Sequence, residues 1–222
     1  SLFLSGGMKI QDNSDGKELF SAENFHSGFN SEKTIDLNND GSNEYILELA
    51  TGNTRSDYNM YVIFEFSKAP EPQCKVHNAE LISNVDKVSD IVSNVRVGDP
   101  KLEAKYMFAL NYKHGKLILH KDIKGSKVLQ ELVPFEEDYS DLITEYAKTN
   151  GVCDESSQVK NFYEAYITQQ KIVDDESKGL DFFDKNYKCD NKGSLESELK
   201  NSANDRYSKI NNPETFNFNT TN

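Results

Sequence analysis

One segment constrains this chain more than any other. The nine residues Asp36-Leu37-Asn38-Asn39-Asp40-Gly41-Ser42-Asn43-Glu44 run without a break into the apolar stretch Tyr45-Ile46-Leu47-Glu48-Leu49-Ala50. Asp36, Asn38, Asp40 and Glu44 put oxygen-bearing side chains at loop positions one, three, five and nine, and Gly41 stands at position six. Calcium takes six to eight oxygen ligands, and a tight Asp/Asn loop with glycine at its sharp turn supplies them. The chain must reverse here, and the residues after the turn have the character of a strand. An EF-hand would need a bidentate Glu at the twelfth position and helices on both sides. Leu47 occupies that position and lies in the strand-like run, so the EF-hand is excluded. Asp, Asn and Gly also build metal-free Asx turns, so two readings stand: a loop holding a structural cation, and an empty turn.

The Asp-x-Asn-x-Asp-Gly opening, the acid at the ninth position and the strand directly after it resemble the calcium loop of FG-GAP/VCBS-type repeats. Such repeats occur in integrin-like propellers and in many secreted bacterial proteins. The resemblance spans Phe29 to Phe64 at most. It implies that the loop joins two strands and that Ca2+ pins the turn. The side-chain ligands would then be Asp36, Asn38, Asp40 and Glu44, with Ser42 offering its backbone carbonyl. The chain carries one copy, and one repeat cannot close a propeller.

Around the loop, Tyr45–Ala50 and Met60–Phe66 are β-prone runs separated by the polar stretch Thr51–Asn59, which predicts an antiparallel hairpin with a long connection. Their continuous apolar character predicts burial on both faces. Val76–Val85 reads as a further strand. Leu102, Ala104, Tyr106, Phe108, Leu110 and Tyr112 alternate before the turn Lys113-His114-Gly115-Lys116, and Leu117–His120 reads as the return strand. The pattern changes after Pro134. Residues 135–148 begin with acids and end at Asn150-Gly151, which are helix boundary signals. Val159, Phe162, Tyr163, Tyr166 and Ile167 share one helical face, and 180–187 and 195–210 read as further helices. The expected fold is α+β: an antiparallel β-rich part with the calcium-loop hairpin, 8–133, a helical part packed on it, 134–210, and a frayed tail, 211–222.

The formal net charge is −12, with no cluster of Lys or Arg. Nucleic-acid binding needs a basic footprint, so that class is excluded, and an acidic surface suits cations or a basic protein partner. No run approaches the roughly 20 apolar residues of a membrane span. Residues 1–7 read either as the end of a processed export signal or as an appended leader ahead of Met8. The cysteines, Cys74, Cys153 and Cys189, form no C-x-x-C pair. A Cys153–Cys189 disulfide would stabilise by about 3–4 kcal/mol and implies an oxidising compartment. Three reduced thiols in a cytosolic protein is the other reading.

No nucleophile elbow, phosphate-binding loop or zinc-spaced histidine pair is present. His26, His77, His114 and His120 read as surface or half-buried residues, and the acid runs 136–138 and 174–176 as helix N-terminal charges. The 51–59 connection carries Arg55, Asp57 and Tyr58, residue types that suit a partner site. The sequence therefore points to a non-enzymatic, exported bacterial protein-binding module, periplasmic or secreted, that meets a basic partner. An inhibitor or immunity protein acting on a periplasmic toxin or a cell-wall hydrolase is its concrete form, resting on analogy of size, charge and compartment. The alternatives are a carboxylate-dependent hydrolase of cell-wall or carbohydrate material, which needs two carboxyls about 5–10 Å apart, and a structural or adhesive surface module.

Overall fold

Runs that are apolar at nearly every position have no polar face to turn outward, so the sheet they form has to be covered on both sides. The computed structural model shows this for the segments either side of the 51–58 connection. It describes residues 6–11, 14–25, 28–50, 59–65, 72–98, 104–121 and 158–212, with Glu137, Asp141, Thr144, Glu145 and Cys153. The strands are β1 (Gly6–Gln11), β2 (Glu18–Phe25), β3 (Gly28–Ile35), β4 (Glu44–Ala50), β5 (Asn59–Glu65), β6 (Pro72–His77), β7 (Ala79–Ser83), β8 (Ser89–Arg96), β9 (Lys105–Lys113) and β10 (Lys116–Leu119). The helices are α1 (Gln158–Ile172), α2 (Glu176–Asn186) and α3 (Lys192–Ile210).

β4 and β5 pair antiparallel, with Ile46 opposite Ile63 and Leu47 opposite Val62. They are the middle of a sheet ordered β3-β4-β5-β6. Ile46 and Ile63 face the main core, while Leu47, Leu49, Val62 and Phe64 form a second buried cluster on the opposite face. The expected two-sided burial is therefore observed. A second sheet runs β10-β9-β8-β7, and β1 and β2 form a separate hairpin. With three C-terminal helices, the architecture is α+β.

The expected single strand Val76–Val85 is a correction: the segment is two strands in two different sheets. The chain leaves β6, turns at Asn78 in the left-handed region (φ 50°), and enters β7. Asn tolerates this conformation better than most residues. The corner is held by Asn59 of β5, whose side chain accepts a hydrogen bond from the Ala79 N–H (2.8 Å) and donates to the Ala79 carbonyl (3.0 Å). At the other end of the second sheet, His114 (φ 48°) and Gly115 (φ 83°) form the turn between β9 and β10. Two successive positive φ values match the right-handed strand twist.

The two sheets and the helices share one apolar cluster, which includes Ile63 and Val76 of the first sheet, Ile91 and Leu110 of the second, and Phe162, Ile167 and Leu199 of the helices. β10 pairs only with residues 110–113 of β9, so the earlier part of that β9 edge needs another partner. α1 provides one. The buried Gln169 side chain accepts from the Met107 N–H (2.8 Å) and donates to the Met107 carbonyl (3.0 Å). A side-chain amide thus takes the place of a strand, as an open edge requires. α2 approaches α1 closely at Gly179, where an added Cβ would lie 3.0 Å from the Ile167 backbone. α3 presents Leu195, Leu199 and Ala203 at helical spacing, all buried. Of the expected 135–148 helix, Glu137, Asp141, Thr144 and Glu145 are helical, and its other residues lie outside those described, as does 213–222 of the tail.

Candidate functional site

The calcium-type loop joins β3 to β4, which are antiparallel neighbours. Its side-chain oxygens organise its own backbone. Asp36 accepts from the N–H groups of Asp40 (3.1 Å) and Gly41 (2.8 Å). Asn38 Oδ1 accepts from the Asp40 N–H (3.2 Å), and Asp40 Oδ1 accepts from the Ser42 N–H (2.8 Å). Gly41 stands at φ 89° with open space where a Cβ would be, so the turn needs glycine for conformation and not for room.

Glu44 differs from the others. It is 1 % exposed and accepts from the Leu37 N–H at 2.8 Å. Burial pushes its carboxyl above the ordinary 4.5; the Leu37 N–H pulls it back in part, and the charges of Asp40, Asp36 and Glu65 push it further up. Glu65 stands directly opposite on β5. Like charges facing each other across a strand pair repel, so this corner holds negative charge that a cation would neutralise.

Leu37 fastens the loop to the rest of the molecule. Its side chain is fully buried in the main core and its carbonyl accepts from the Ser89 N–H of β8 (2.9 Å). One residue thus touches the start of β4 in the first sheet through Glu44 and the second sheet through Ser89.

The donor set suits a hard divalent cation. Asp36, Asn38, Asp40 and Glu44 are oxygen ligands around a glycine turn, and a carboxylate oxygen that accepts one N–H keeps a second lone pair for a metal. In the present arrangement, among the described residues, no three His, Cys, Asp or Glu side chains converge as a ligand group. Asp36 and Asp40 are instead turned onto their own loop: Asp40 Oδ2 also accepts from the Asn38 side chain at 3.0 Å. Arg55, Asp57 and Tyr58 lie outside the described residues.

A second polar constellation has no counterpart in the sequence motifs. Asp90 of β8 is fully buried. It accepts from the Asn84 side chain (2.6 Å) and the Asn111 side chain (2.7 Å), and its Oδ1 lies 2.7 Å from His120 Nδ1. A carboxylate-held imidazole can serve as a general base when a nucleophile lies within hydrogen-bond reach of its other nitrogen. Here the partners come from the β7–β8 turn, from β9 and from the residue after β10, so the cluster ties that whole sheet together. His120 is half-buried, as expected, but its carboxylate partner could not be read from spacing.

Cys153 and Cys189 form a disulfide with Cα atoms 5.6 Å apart, which joins the segment before α1 to the α2–α3 loop. Cys74 is buried and donates to the Gly115 carbonyl; burial, with a contribution from Glu65, pushes its thiol up to about 12. Among the described residues no helix is long and apolar enough to cross a membrane. These features define an α+β chain with an acidic β3–β4 loop and one disulfide. No family model, curated protein or solved structure matches it.

Proposed function

We propose that this chain is a non-catalytic, exported protein-binding module whose FG-GAP/VCBS-like loop holds a structural Ca2+. Asp36, Asn38, Asp40 and Glu44 would bind through side chains and Ser42 through its carbonyl. Bound there, the ion would neutralise the acidic corner and fix the turn between β3 and β4. The observation that carries this reading is the double anchorage of Leu37, which makes the geometry of the loop a property of both sheets. A rigid acidic scaffold of this kind suits docking to a basic protein by charge complementarity. The disulfide is compatible with an oxidising compartment.

Support for a non-catalytic role comes from how the buried ionisable groups are used. Glu44 holds the Leu37 backbone, Asp90 holds Asn84, Asn111 and His120, and Glu164 accepts from Arg206 at 2.7 Å. In its concrete form the module occludes the cleft of a periplasmic toxin or cell-wall hydrolase. The test is affinity capture from a native envelope fraction, with and without a calcium chelator and across a salt series. The captured protein is then assayed for hydrolase or toxin activity with added module. A basic partner lost on chelation, weakened by salt and inhibited one-to-one supports the reading. Capture indifferent to both chelator and salt, or a partner whose activity is unchanged, overturns it.

A further inference from the structure

A cavity of about 270 Å³ lies between the two sheets and the C-terminal turn of α3. Its floor is a patch on one face of the second sheet. Ser93 stands opposite Phe108 and Val95 opposite Tyr106 in the β8–β9 pairing, and all four line the cavity. Val76 of β6 lines it from the first sheet and Ile210 from the end of α3. Val76, Tyr106, Phe108 and Ile210 are buried, and Val95 is half-buried. His77 and Lys209 are exposed and mark where the cavity reaches the surface.

The charged residues of the lining are already engaged. Arg206 donates to Glu164 at 2.7 Å and lies 5.6 Å from the centre of the Tyr106 ring. Lys209 is paired with Asp205 at 2.9 Å. Lys75 and His77 have interactions of their own, and strand alternation sets both side chains on the face of the sheet opposite Val76. A carboxylate taken into this cavity would lose its hydration and find each cation already occupied. Ser93 is satisfied as well, since its hydroxyl donates to the His77 carbonyl at 2.7 Å. The Tyr106 hydroxyl is the exception. It accepts from the Arg206 guanidinium at 3.4 Å, and its own proton has no acceptor among the described residues. Tyr106 is 4 % exposed, and burial raises its pKa above the ordinary 10, so it keeps that proton. A buried donor left without an acceptor costs free energy that a ligand oxygen would recover.

We propose that this cavity binds a small neutral carbonyl compound, with its apolar body against Val76, Val95, Phe108 and Ile210 and its oxygen accepting from the Tyr106 hydroxyl. Apolar cavities in protein interiors take up small apolar molecules because water gains little there. A ketone or ester oxygen accepts without bringing a second proton to satisfy, as an alcohol would. The volume is at the small end for ligand pockets. At about 30 Å³ per water-sized unit it accommodates roughly nine heavy atoms, which is the bulk of a substituted benzene ring. The site is separate from the calcium-type loop and does not depend on metal.

The experiment titrates the full chain with acetophenone and follows the methyl NMR shifts of Val76, Val95 and Ile210. Ethylbenzene, benzoate and benzylamine are the acceptor-free, anionic and cationic controls. The expected result is that acetophenone shifts those methyls and binds at least threefold tighter than ethylbenzene, the worth of about one net hydrogen bond. It should bind at least tenfold tighter than either ion. Tyr106→Phe should lower acetophenone to the affinity of ethylbenzene and leave ethylbenzene itself unchanged, which separates a lost donor from a damaged cavity. Val95→Trp, which fills the cavity, should abolish binding of both. Equal affinity for acetophenone and ethylbenzene, benzoate binding as tightly as acetophenone, shifts confined to other methyls, no acetophenone binding at millimolar concentration, or indifference to Tyr106→Phe would overturn the proposal.

Discussion

Leu37→Ala probes whether the loop is structurally continuous with the core. The side chain is fully buried, and its backbone bonds to Glu44 and Ser89 survive truncation. The change therefore isolates packing from hydrogen bonding. Losing three buried carbons costs about 2.4 kcal/mol at roughly 0.8 kcal/mol each. A residual cavity of roughly 50 Å³ adds about 1.2 kcal/mol at about 24 cal/mol per Å³. The expected loss is about 3–4 kcal/mol, which for a chain of this size lowers Tm by roughly 7–15 °C. Urea denaturation followed by far-ultraviolet circular dichroism, with scanning calorimetry, both in chelator, measures it. The variant keeps every proposed ligand, so saturating calcium should stabilise it by the same increment as the unmodified chain. A loss below about 1 kcal/mol would refute the claim that Leu37 anchors the loop. An unequal calcium increment would refute the separation of packing from ligation.

Three further outcomes rest on the buried polar groups and the disulfide. Asp90→Ala deprives Asn84, Asn111 and His120 of a buried acceptor and should cost about 3 kcal/mol or more in urea denaturation; a change within about 0.5 kcal/mol, on the order of a surface substitution, would contradict the role of Asp90 as a tie. Glu44 has a raised carboxyl in the folded state, so the stability it contributes is full below about pH 4.5 and is lost as pH rises through the folded value. Glu44→Gln should therefore flatten the decline of metal-free stability above pH 4.5, and an unchanged pH profile would rule this out. Replacing Cys153 and Cys189 by Ala opens a loop of sequence separation 36 and should cost about 4 kcal/mol in the chain-entropy account; a double variant as stable as the parent would contradict it.

Local patterning made part of this molecule legible. β4 and β5 were readable because they are apolar on both faces, and β9 with β10 because alternation flanks a Gly-containing turn. α1 was readable from the spacing of Val159, Phe162, Tyr163, Tyr166 and Ile167. β8 was not foreseen, because its buried residues include Ser89, Asp90 and Ser93. Two of those polar side chains are held by distant partners: Asp90 by Asn111 and His120, and Ser93 by the His77 carbonyl. No local pattern encodes such pairings. The division of 76–85 into strands of two sheets rests on one left-handed residue, Asn78, which in the sequence is one Asn among many. In the loop, the oxygen-bearing residues were legible from spacing, whereas the anchoring role of Leu37 was not, since a single Leu among polar residues carries no periodicity.

The most direct test of a cation-pinned corner is calorimetric titration of chelator-stripped protein with calcium chloride, beside Asp36→Asn/Asp40→Asn as the control. The account requires one site per chain, absent in the control. Scanning calorimetry of the unmodified chain should then show a Tm rise of about 5–10 °C at a hundredfold excess over the measured Kd, equivalent to about 2.7 kcal/mol. No heat and no Tm shift at calcium concentrations of about 10 mM, roughly tenfold above the weakest Kd of extracellular calcium modules, or equal binding by the doubly substituted chain, would contradict it.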